Sequence, residues 1–475
     1  MNVVPPHGRP DGPTSSLDAA AADGRVEDAR RSCAKERSRS SIVAAMTSAT
    51  EAGDPAGQCE FDDVIAWARA PLPPAVERKA RLLLLDSIGC IASGLRHPEV
   101  QRLGESLAPW FPGPIRLPGA AIPLGPAGAA ALGAAAMCWD EANEGLAQAH
   151  GRPALPIVPA LLALADSQPF GGLLQAFALG YEVGARAGEV WRIRPGMHVD
   201  GSWHALGAAA ACALATGADP ARAVRIAACQ IPFSLYRPLA HGMTGRNAYP
   251  AHAALLGILA AAAAKAGSEA PAGGLAEARH LALLHQTPAQ RSAAGTWLIA
   301  DGYVKPFAGV RHAHYAAAAA IAARARVEST DAVVALRLET YGEALRYAAN
   351  RAPRTPIAAQ FSLSFAVAAG LRFGDLAPDA YRALGDPGLV RLEGLVELAE
   401  DPAMTAAGRR GARLIMRTAL DTVTTEVDSV PGDPARPMRE DEVAAKFLRL
   451  AGHLPDAAAT LDRVMRGAAS EPLRL

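Results

Sequence analysis

Two polar segments stand directly ahead of Ala-rich apolar stretches and carry the residue types of an acid/base site. The first covers residues 139–153 and includes Asp140, and the second covers residues 197–204 and includes His198. Carboxylates and imidazoles therefore lie where two buried helices are expected to begin, a good position for acid/base chemistry. In a helix, Asp140 and Glu144 would share one face. The alternative interpretation is that these carboxylates only cap a helix in a solvated turn.

Cationic and hydrogen-bonding side chains gather at several predicted helix starts. At such positions the backbone N–H groups and a nearby cation together favour an anion, such as a substrate carboxylate. A surface turn explains any one of these groups equally well, but their recurrence favours a site for a di- or tricarboxylate. The side chains predicted to bind substrate are Asn143, His150, Arg152, Arg246, Asn247, Tyr249, Lys305 and Arg311.

His198 and His204 bracket Trp203 and could form a proton-transfer pair, because the ordinary pKa of imidazole lies near neutral pH. Zinc binding is the alternative, but no cysteine or third histidine stands at a suitable spacing, so we predict no metal site. The sequence also lacks GxGxxG, Walker, HExxH and GxSxG motifs. Their absence disfavours nucleotide-binding, zincin and α/β-hydrolase interpretations.

Length and composition narrow the class of protein. The chain has 475 residues, half of them apolar, and Lys+Arg balance Asp+Glu at 47 each. This balance gives no electrostatic case for nucleic acid or an acidic membrane, so we expect a small-molecule partner. The six cysteines form no CxxC pair and are interpreted as core thiols of a reducing cytoplasm. No secretory signal is predicted, and Ala-rich runs such as 255–264 fall short of a membrane span.

Composition and hydrophobic periodicity divide the chain into four regions. Residues 1–57 are rich in Pro, Gly, Ser and Arg and are predicted to be a disordered extension, whereas residues 58–294 are predicted to be helical. Residues 295–430 combine a helix with period-two strand patterns, and residues 431–475 return to helix. Helices are predicted at 62–70, 75–93 (ended by Gly94), 127–137, 157–165, 173–190, 207–215, 220–228 (capped by Asp219), 251–266 and 314–325, and strands at 332–341, 413–420 and 424–430.

A collinear set of short motifs runs through most of the chain. The motifs are Leu85-Asp86-Ser87-Ile88-Gly89-Cys90, His97-Pro98, the acidic segment at Asp140, Val158-Pro159-Ala160, Gly180-Tyr181-Glu182-Val183, His198-Val199-Asp200-Gly201, Arg246-Asn247-Ala248-Tyr249, Lys305-Pro306-Phe307, Arg311 with His314, Ala359-Gln360-Phe361-Ser362-Leu363, Pro437-Met438 and Lys446-Phe447. Over about residues 61–452 the chain resembles the MmgE/PrpD family, whose members include 2-methylcitrate dehydratase and cis-aconitate decarboxylase.

The resemblance implies a mainly α protein, with a large all-helical domain built from residues 58–294 and 431–475 and an inserted α+β lid domain at 295–430. It also implies an active site in the cleft between them, no cofactor, and a homodimer. Carried over by position, the acidic motif maps to Asp140 and the histidine of the HxxG segment maps to His198. Two positions depart from the family pattern: Arg152 stands where a histidine is frequent, and Arg246 stands where a lysine is common.

From the resemblance we expect a cofactor-independent cytoplasmic lyase of the hydro-lyase type, acting on a small polycarboxylate such as a 2-methylcitrate-like acid. His198 is the leading proton-transfer residue, Asp140 orients it or shares that role, and His204 or His314 is the second acid. Because Arg stays protonated and binds carboxylates in a bidentate manner, the two Arg departures favour carboxylate binding over proton transfer. An epimerase, an isomerase or a decarboxylase on a similar acid is the alternative, and a non-catalytic binding protein is another.

Overall fold

Helices form all the regular elements before Val333 in the computed structural model, within the residues it describes, which are 60–165, 168–284 and 290–474. The extension predicted at 1–57 lies outside these residues, as do Cys33 and Cys59. The helices of this part are α1 Asp62–Trp67, α2 Pro74–Gly94, α3 Pro98–Leu107, α4 Pro126–Trp139, α5 Ala154–Leu162, α6 Phe170–Val190, α7 His204–Thr216, α8 Pro220–Ala228, α9 Arg237–Ala240, α10 Tyr249–Lys265 and α11 Gly274–Leu283, with short 3₁₀ turns at Thr244–Ala248 and Leu298–Asp301.

Small residues let the central helices of this part approach closely. A Cβ atom built on Gly180 of α6 would lie 2.6 Å from the backbone oxygen of Gly207 in α7, and one built on Gly257 of α10 would lie 2.5 Å from the Ala208 Cβ. Side chains larger than hydrogen cannot fit such contacts without moving the backbone. The helices α6, α7 and α10 therefore pack backbone against backbone, which fixes the ends from which the polar segments emerge.

Gly94 was predicted to end the second helix, as it does, and the structure gives it a further role. It is the last residue of α2 and retains helical backbone geometry, since its capping neighbour Leu95 is also right-handed helical. A Cβ atom on Gly94 would lie 1.9 Å from the carbonyl oxygen of Ala136 in α4. The glycine is required there by the crossing of two helices and not by a turn.

We expect Gly94→Ala to lower the free energy of unfolding by about 1–3 kcal/mol or more, the cost of overpacking a rigid contact. The matched control is Gly394→Ala, because Gly394 lies in a helix and has no atom within 4 Å of the position that an added Cβ would occupy. That control should be neutral or slightly stabilising, since Ala is the better helix former. Urea denaturation compares the two; equal effects would contradict the close-contact explanation.

A small sheet distinguishes the part that follows Arg311. The helices there are α12 Arg311–Arg324, α13 Gly342–Ala348, α14 Pro356–Gln360, α15 Leu363–Phe373, α16 Pro378–Arg382, α17 Pro387–Leu395 and α18 Pro402–Ala406, and the strands are β1 Val333–Thr340, β2 Val396–Glu400, β3 Ala412–Thr418 and β4 Thr422–Val427. The sheet order is β2-β1-β3-β4, with β1 parallel to β2 and the other pairs antiparallel. Helix α12 packs on β3 and β4, and α15 packs on α12.

Most strand predictions agree with the structure, and one strand was missed. β1 has the predicted alternating burial from Leu336 to Thr340, and β3 and β4 form the predicted hairpin. At the start of β1 the register shifts between Val333 and Ala335, so Val334 is exposed, although the period-two pattern places it on the buried face with Leu336. β2 follows α17 directly, with no turn residue between them, so no local signal separates it from the helix. The described residues are mostly helical and contain one small four-stranded sheet, which confirms the mainly α class. The behaviour of the α+β part as a lid domain remains a prediction.

The C-terminal residues return to the first helices of the chain. Two helices, α19 Glu440–Ala451 and α20 Ala457–Arg466, pack against α2. Lys446 forms a buried ion pair with Asp86 of α2, and the Phe447 ring lies where a side chain on Gly89 would point. The helix begins at Glu440, after the predicted Pro437-Met438 start, and Glu442 caps the N–H group of Arg439 at 2.8 Å. This packing joins the C-terminal region to the N-terminal helices.

One helical segment passes a length and hydropathy test for crossing a membrane. It is Thr244–Lys265, which includes α10, and its most apolar window is 56% buried inside the protein. The sequence interpretation considered only the shorter run 255–264, so the segment is longer than expected. Because α10 packs against α4 and α7, it has the environment of a core helix.

Candidate functional site

Five buried charged side chains meet at the ends of five different helices. They are Glu141, Arg152, Asp200, Arg246 and Lys305, and no more than 8% of any of these side chains is exposed. Four of them stand in connections between helices, where loops commonly carry function, and Arg246 lies in the 3₁₀ turn Thr244–Ala248. We call this set the charge cluster. It contains three cations and two carboxylates, so it retains one surplus positive charge and suits an anionic ligand.

Glu141 is the centre of the charge cluster. Its Oε2 lies 3.0 Å from Arg152 and also contacts Arg246, while its Oε1 lies 3.2 Å from the Lys305 ammonium. Burial alone would raise the pKa of Glu141, but the three cations outweigh it and hold that pKa well below the ordinary value. The backbone of Glu141 has φ of 52°, a left-handed conformation that is costly for a non-glycine residue. Such strain is common where a side chain must be aimed at a functional site.

Asp200 is the second anion of the charge cluster. It pairs closely with Arg152, and its Oδ2 lies 3.4 Å from Arg246. Burial opposes ionisation, yet Arg152 and the other neighbouring groups keep the pKa of Asp200 well below its ordinary value. Arg152 also donates to the Asn143 side-chain oxygen at 2.7 Å. Its guanidinium therefore contacts one oxygen of each carboxylate and one amide, so its donors are divided among three side chains.

Lys305 is held by acceptors on three sides. Its Nζ donates to the backbone oxygen of Glu141 at 2.8 Å and to that of Gly309 at 3.3 Å, besides the carboxylate contact. Burial lowers the pKa of Lys305 to about 8, so the ammonium form still predominates at neutral pH. Three acceptors around one nitrogen match an ammonium group, which has three donors and no acceptor. Lys305 is therefore a protonated side chain that can bind a negatively charged group.

Cys138 is a member of the site that the sequence interpretation assigned to the core. Its Sγ accepts from Arg246 at 2.6 Å and from Arg152 at 3.5 Å. Burial raises the pKa of this thiol in spite of the two guanidinium groups. Cys90 and Cys212 are buried, as predicted, but Cys229 is exposed, and for Cys229 the core interpretation was wrong. No local signal separates Cys138 from the other buried cysteines.

His198 lies beside Asp200, with its ring flanked by two tyrosines. Its Nδ1 accepts from the Asp200 backbone N–H at 3.0 Å, and its ring centroid is 6.0 Å from that of Tyr236 and 5.9 Å from that of Tyr249. Burial lowers the pKa of His198 to about 4, so the ring is neutral at pH 7. Because Nδ1 is an acceptor, Nε2 carries the proton of the neutral ring. His198 therefore presents an N–H donor.

Asp140 points away from its neighbour Glu141 and belongs to a different network. Its Oδ2 accepts from the Ser93 hydroxyl at 2.6 Å, and its Oδ1 lies 2.7 Å from the His97 Nε2. Ser93 comes from the end of α2, and His97 from the residue before α3. The left-handed turn at Glu141 directs two consecutive carboxylates to different partners. Ser93 and His97 were not predicted as site residues.

His204 was predicted as a proton-transfer partner of His198, and it is fully buried in a stack. Its ring lies 3.7 Å from that of Trp203 with 15° between the planes, and neither ring nitrogen has a hydrogen-bond partner among the described residues. Burial lowers the pKa of His204 to about 3. The unfolded chain binds a proton near pH 6.5, so the folded state loses stability as the pH falls below that value.

Replacing His204 with Phe should reduce the acid sensitivity of the fold. We expect the unchanged protein to lose about 2 kcal/mol from this one group between pH 7 and pH 5, and the variant to lose that much less. Phe keeps the stacked ring, and His252→Ala at an exposed position of α10 serves as the control, which should retain the full loss. Chemical denaturation at the two pH values measures the difference. An unchanged pH dependence in the Phe variant would overturn this explanation.

The second acid proposed from the resemblance, His314, lies at the start of α12. Its Nε2 lies 3.3 Å from the Gly309 oxygen, and its Nδ1 lies 3.3 Å from the Arg311 guanidinium. Burial and the neighbouring Arg311 hold the pKa of His314 well below its ordinary value. Arg311 itself pairs with Asp433 at 2.5 Å and makes no contact with the charge cluster. Arg311 and Lys305 therefore have different partners in the structure, although they lie close together in the sequence.

The remaining predicted residues fall outside the contacts of the charge cluster. His150 is exposed and has φ of 51°. Tyr249 donates its hydroxyl to the Leu235 oxygen at 2.9 Å, so its ring and not its hydroxyl faces His198. Asn247 is buried with both amide atoms unpartnered among the described residues, which leaves it able to bind a ligand group. The roles given to these residues remain predictions.

The described residues contain no group of three or more His, Cys, Asp or Glu side chains arranged to hold a metal ion. The charge cluster and the adjacent His198 together supply the donors of an anion site, namely two guanidinium groups, an ammonium group and the His198 N–H. All four of these donor groups had been predicted as site residues from the sequence. Glu141 and Asp200 were missed because nothing local distinguishes a carboxylate that will bind two arginines from one that caps a helix.

Comparison with protein families covers nearly the whole described chain. The N-terminal domain of the MmgE/PrpD family matches residues 64–288, and its C-terminal domain matches residues 307–468. A comparison with curated proteins finds no matching sequence. The family is generally one of dehydratase-like or lyase-like enzymes. With both domains matched in order over most of its length, this chain belongs to the MmgE/PrpD family.

Proposed function

We propose that the protein is a cofactor-independent hydro-lyase that removes water from a small polycarboxylate, such as a 2-methylcitrate-like acid. The observation that carries this proposal is the charge cluster, where two guanidinium groups and one ammonium group meet two internal carboxylates out of contact with bulk water. Substrate carboxylates are chemically equivalent to the side chains of Glu141 and Asp200. They would replace these side chains at Arg152, Arg246 and Lys305.

Elimination of water needs a base for a proton next to a carboxylate and an acid for the departing hydroxyl group. The neutral His198 ring can donate a hydrogen bond from its Nε2–H to the departing hydroxyl group. The proton itself can come from the Lys305 ammonium group, whose pKa is lowered to about 8. We assign the first role to Asp140, the residue to which the acidic motif of the family maps, and Ser93 and His97 fix its orientation. This assignment makes Asp140 the base, Lys305 the proton source and His198 the hydrogen-bond donor to the leaving group.

The fixed cations have a further task in this reaction. Removing a proton next to a carboxylate places negative charge on that carboxylate in the transition state. Guanidinium groups already oriented by buried contacts stabilise such charge without having to reorganise. Their low exposure strengthens the interaction, because the effective dielectric constant in a buried site is lower than in water.

An epimerase is the second candidate, and the two arginines favour it specifically. Arg152 and Arg246 stay protonated, so neither can deliver a proton to a leaving group as His or Lys could. His198, Asp140 and Lys305 are left to move protons, and with them the site could remove and return a proton at one carbon without losing water. The same carboxylate contacts serve both reactions.

The experiment is incubation of the purified protein with 2-methylcitrate, citrate and cis-aconitate in D₂O, followed by NMR. We expect loss of water from at least one hydroxy acid, seen as a new alkene signal. Deuterium exchange without loss of water would favour the epimerase, and loss of CO₂ would favour a decarboxylase. No reaction and no binding with any of the three acids would contradict the proposal.

A further inference from the structure

A cavity of about 460 Å³ has a cationic lining of its own. It is bounded by α2, by residues 300–304, by the start of α12 and by the proline-rich segment 432–438. The five residues of the charge cluster are not among its lining residues. The cations that line it are Lys79, Arg311 and Arg410.

Lys79 is the least satisfied cation of this cavity. Among the described residues no hydrogen bond or ion pair reaches its ammonium group, and burial lowers its pKa in spite of the attraction of Asp301. Asp301 lies on the same cavity wall and accepts from the Gln148 amide at 3.0 Å. A partly buried ammonium group without a direct partner carries a desolvation cost that an anion would offset.

Arg410 adds a second cation with free donors. Its guanidinium makes one marginal contact, 3.4 Å to Glu343, and 46% of the side chain is exposed. It stands just before β3, whereas Lys79 belongs to α2, so the two cations reach the cavity from distant parts of the chain. A ligand that contacts both would connect the helical part to the sheet.

Two carboxylates line the cavity, Asp301 and Asp433, and Asp433 is already paired. Asp433 pairs with Arg311 at 2.5 Å, accepts from the Tyr315 hydroxyl at 3.0 Å, and accepts from the Val430 N–H at 2.7 Å. Arg311 in turn lies over the Tyr303 ring, 5.0 Å from its centroid. Asp433 is therefore neutralised by Arg311 and does not compensate Lys79 or Arg410.

We infer that this cavity binds a small oxyanion, with Lys79 and Arg410 as its main ligands. The shared chemistry is a compact dianion, either a phosphate group or a short dicarboxylate, because two separate cations face one space of suitable size. This inference does not depend on the reaction proposed above. An anion held there would stabilise the folded protein by joining α2 to the segment before β3.

The test is isothermal titration calorimetry of the full chain with inorganic phosphate and, separately, with succinate, at constant ionic strength. We expect one of them to bind with a Kd of about 1 mM or tighter. In the Lys79→Gln/Arg410→Gln variant the Kd should rise at least about tenfold, since two charged donors are lost. Preference for phosphate or for succinate identifies the ligand class.

The matched control is Arg409→Gln, which removes an exposed charge next to Arg410 but does not line the cavity. Its Kd should equal that of the unchanged protein. Binding that survives unaltered in the double variant would overturn the inference and place the anion elsewhere, for instance at the charge cluster. Failure of both anions to bind the unchanged protein up to about 10 mM, well above the expected Kd, would also overturn it.

Discussion

The Glu141→Gln variant is expected to unfold with a free energy about 3–5 kcal/mol lower than that of the unchanged protein. Glu141 contacts Arg152, Arg246 and Lys305, all of them buried. Without its charge, three buried cations would face the single carboxylate of Asp200. Removing one partner of a buried ion pair is costly because the other charge remains out of water. Equilibrium denaturation in urea at pH 7 measures the loss.

Glu144→Gln is the matched control for that experiment. Glu144 is also buried, but it accepts from the Ala154 N–H at 2.9 Å and from the Tyr181 hydroxyl at 3.1 Å, and within the described ranges no cation forms an ion pair with it. Burial raises the pKa of Glu144 to about 8, so this side chain is mainly protonated at pH 7. A neutral amide should replace it at a cost below about 1 kcal/mol. If both variants were destabilised equally, the charge cluster would not be the source of the effect.

The second large effect is expected in the reaction itself. We expect His198→Ala to lower kcat by about a hundredfold to a thousandfold on whichever acid the protein converts, the usual cost of removing a positioned hydrogen-bond donor. The fold should persist, because the neutral ring of His198 makes only one side-chain hydrogen bond among the described residues, with the Asp200 N–H. Steady-state kinetics on the substrate found by NMR measures the change.

His252→Ala controls for the loss of an imidazole in general, since His252 is exposed on α10. Its kcat should match that of the unchanged protein. Turnover by His198→Ala at the unchanged rate would remove His198 from the chemistry. A rise in KM with kcat unchanged would instead mean that His198 only binds the substrate, because an interaction made equally in ground and transition states affects KM alone.

Periodicity predicted much of the fold, and the exceptions have physical causes. The strand β1 and the β3–β4 hairpin follow from alternation of apolar and polar residues, and the burial of Leu336 and Leu338 on one face agrees with it. Val334, expected on the same face, is exposed because the register shifts between Val333 and Ala335. β2 was missed because five residues after a helix hold too little alternation to recognise. The role of Gly94 depends on a contact with Ala136, which is distant in sequence and leaves no local trace.

The candidate site was predicted in part. Arg152, Arg246, Lys305 and His198 were chosen from their positions before helices, and the structure brings all four around Glu141 and Asp200. The sequence could not decide between the adjacent carboxylates 140 and 141, since a single left-handed residue sends them to different neighbours. Nor could it separate Lys305 from Arg311, whose partners come from distant parts of the chain. Local pattern identifies residue types, and tertiary contacts assign their partners.

The most direct measurement is a crystal structure of the protein with tricarballylate, a tricarboxylate without the hydroxyl group that dehydration removes. The proposed function predicts ligand carboxylates within about 2.7–3.2 Å of the guanidinium groups of Arg152 and Arg246, with the side chains of Glu141 and Asp200 displaced. It also predicts that the His198 Nε2 faces the carbon chain of the ligand. Tricarballylate bound elsewhere, with both internal carboxylates still paired to the arginines, would contradict the central claim.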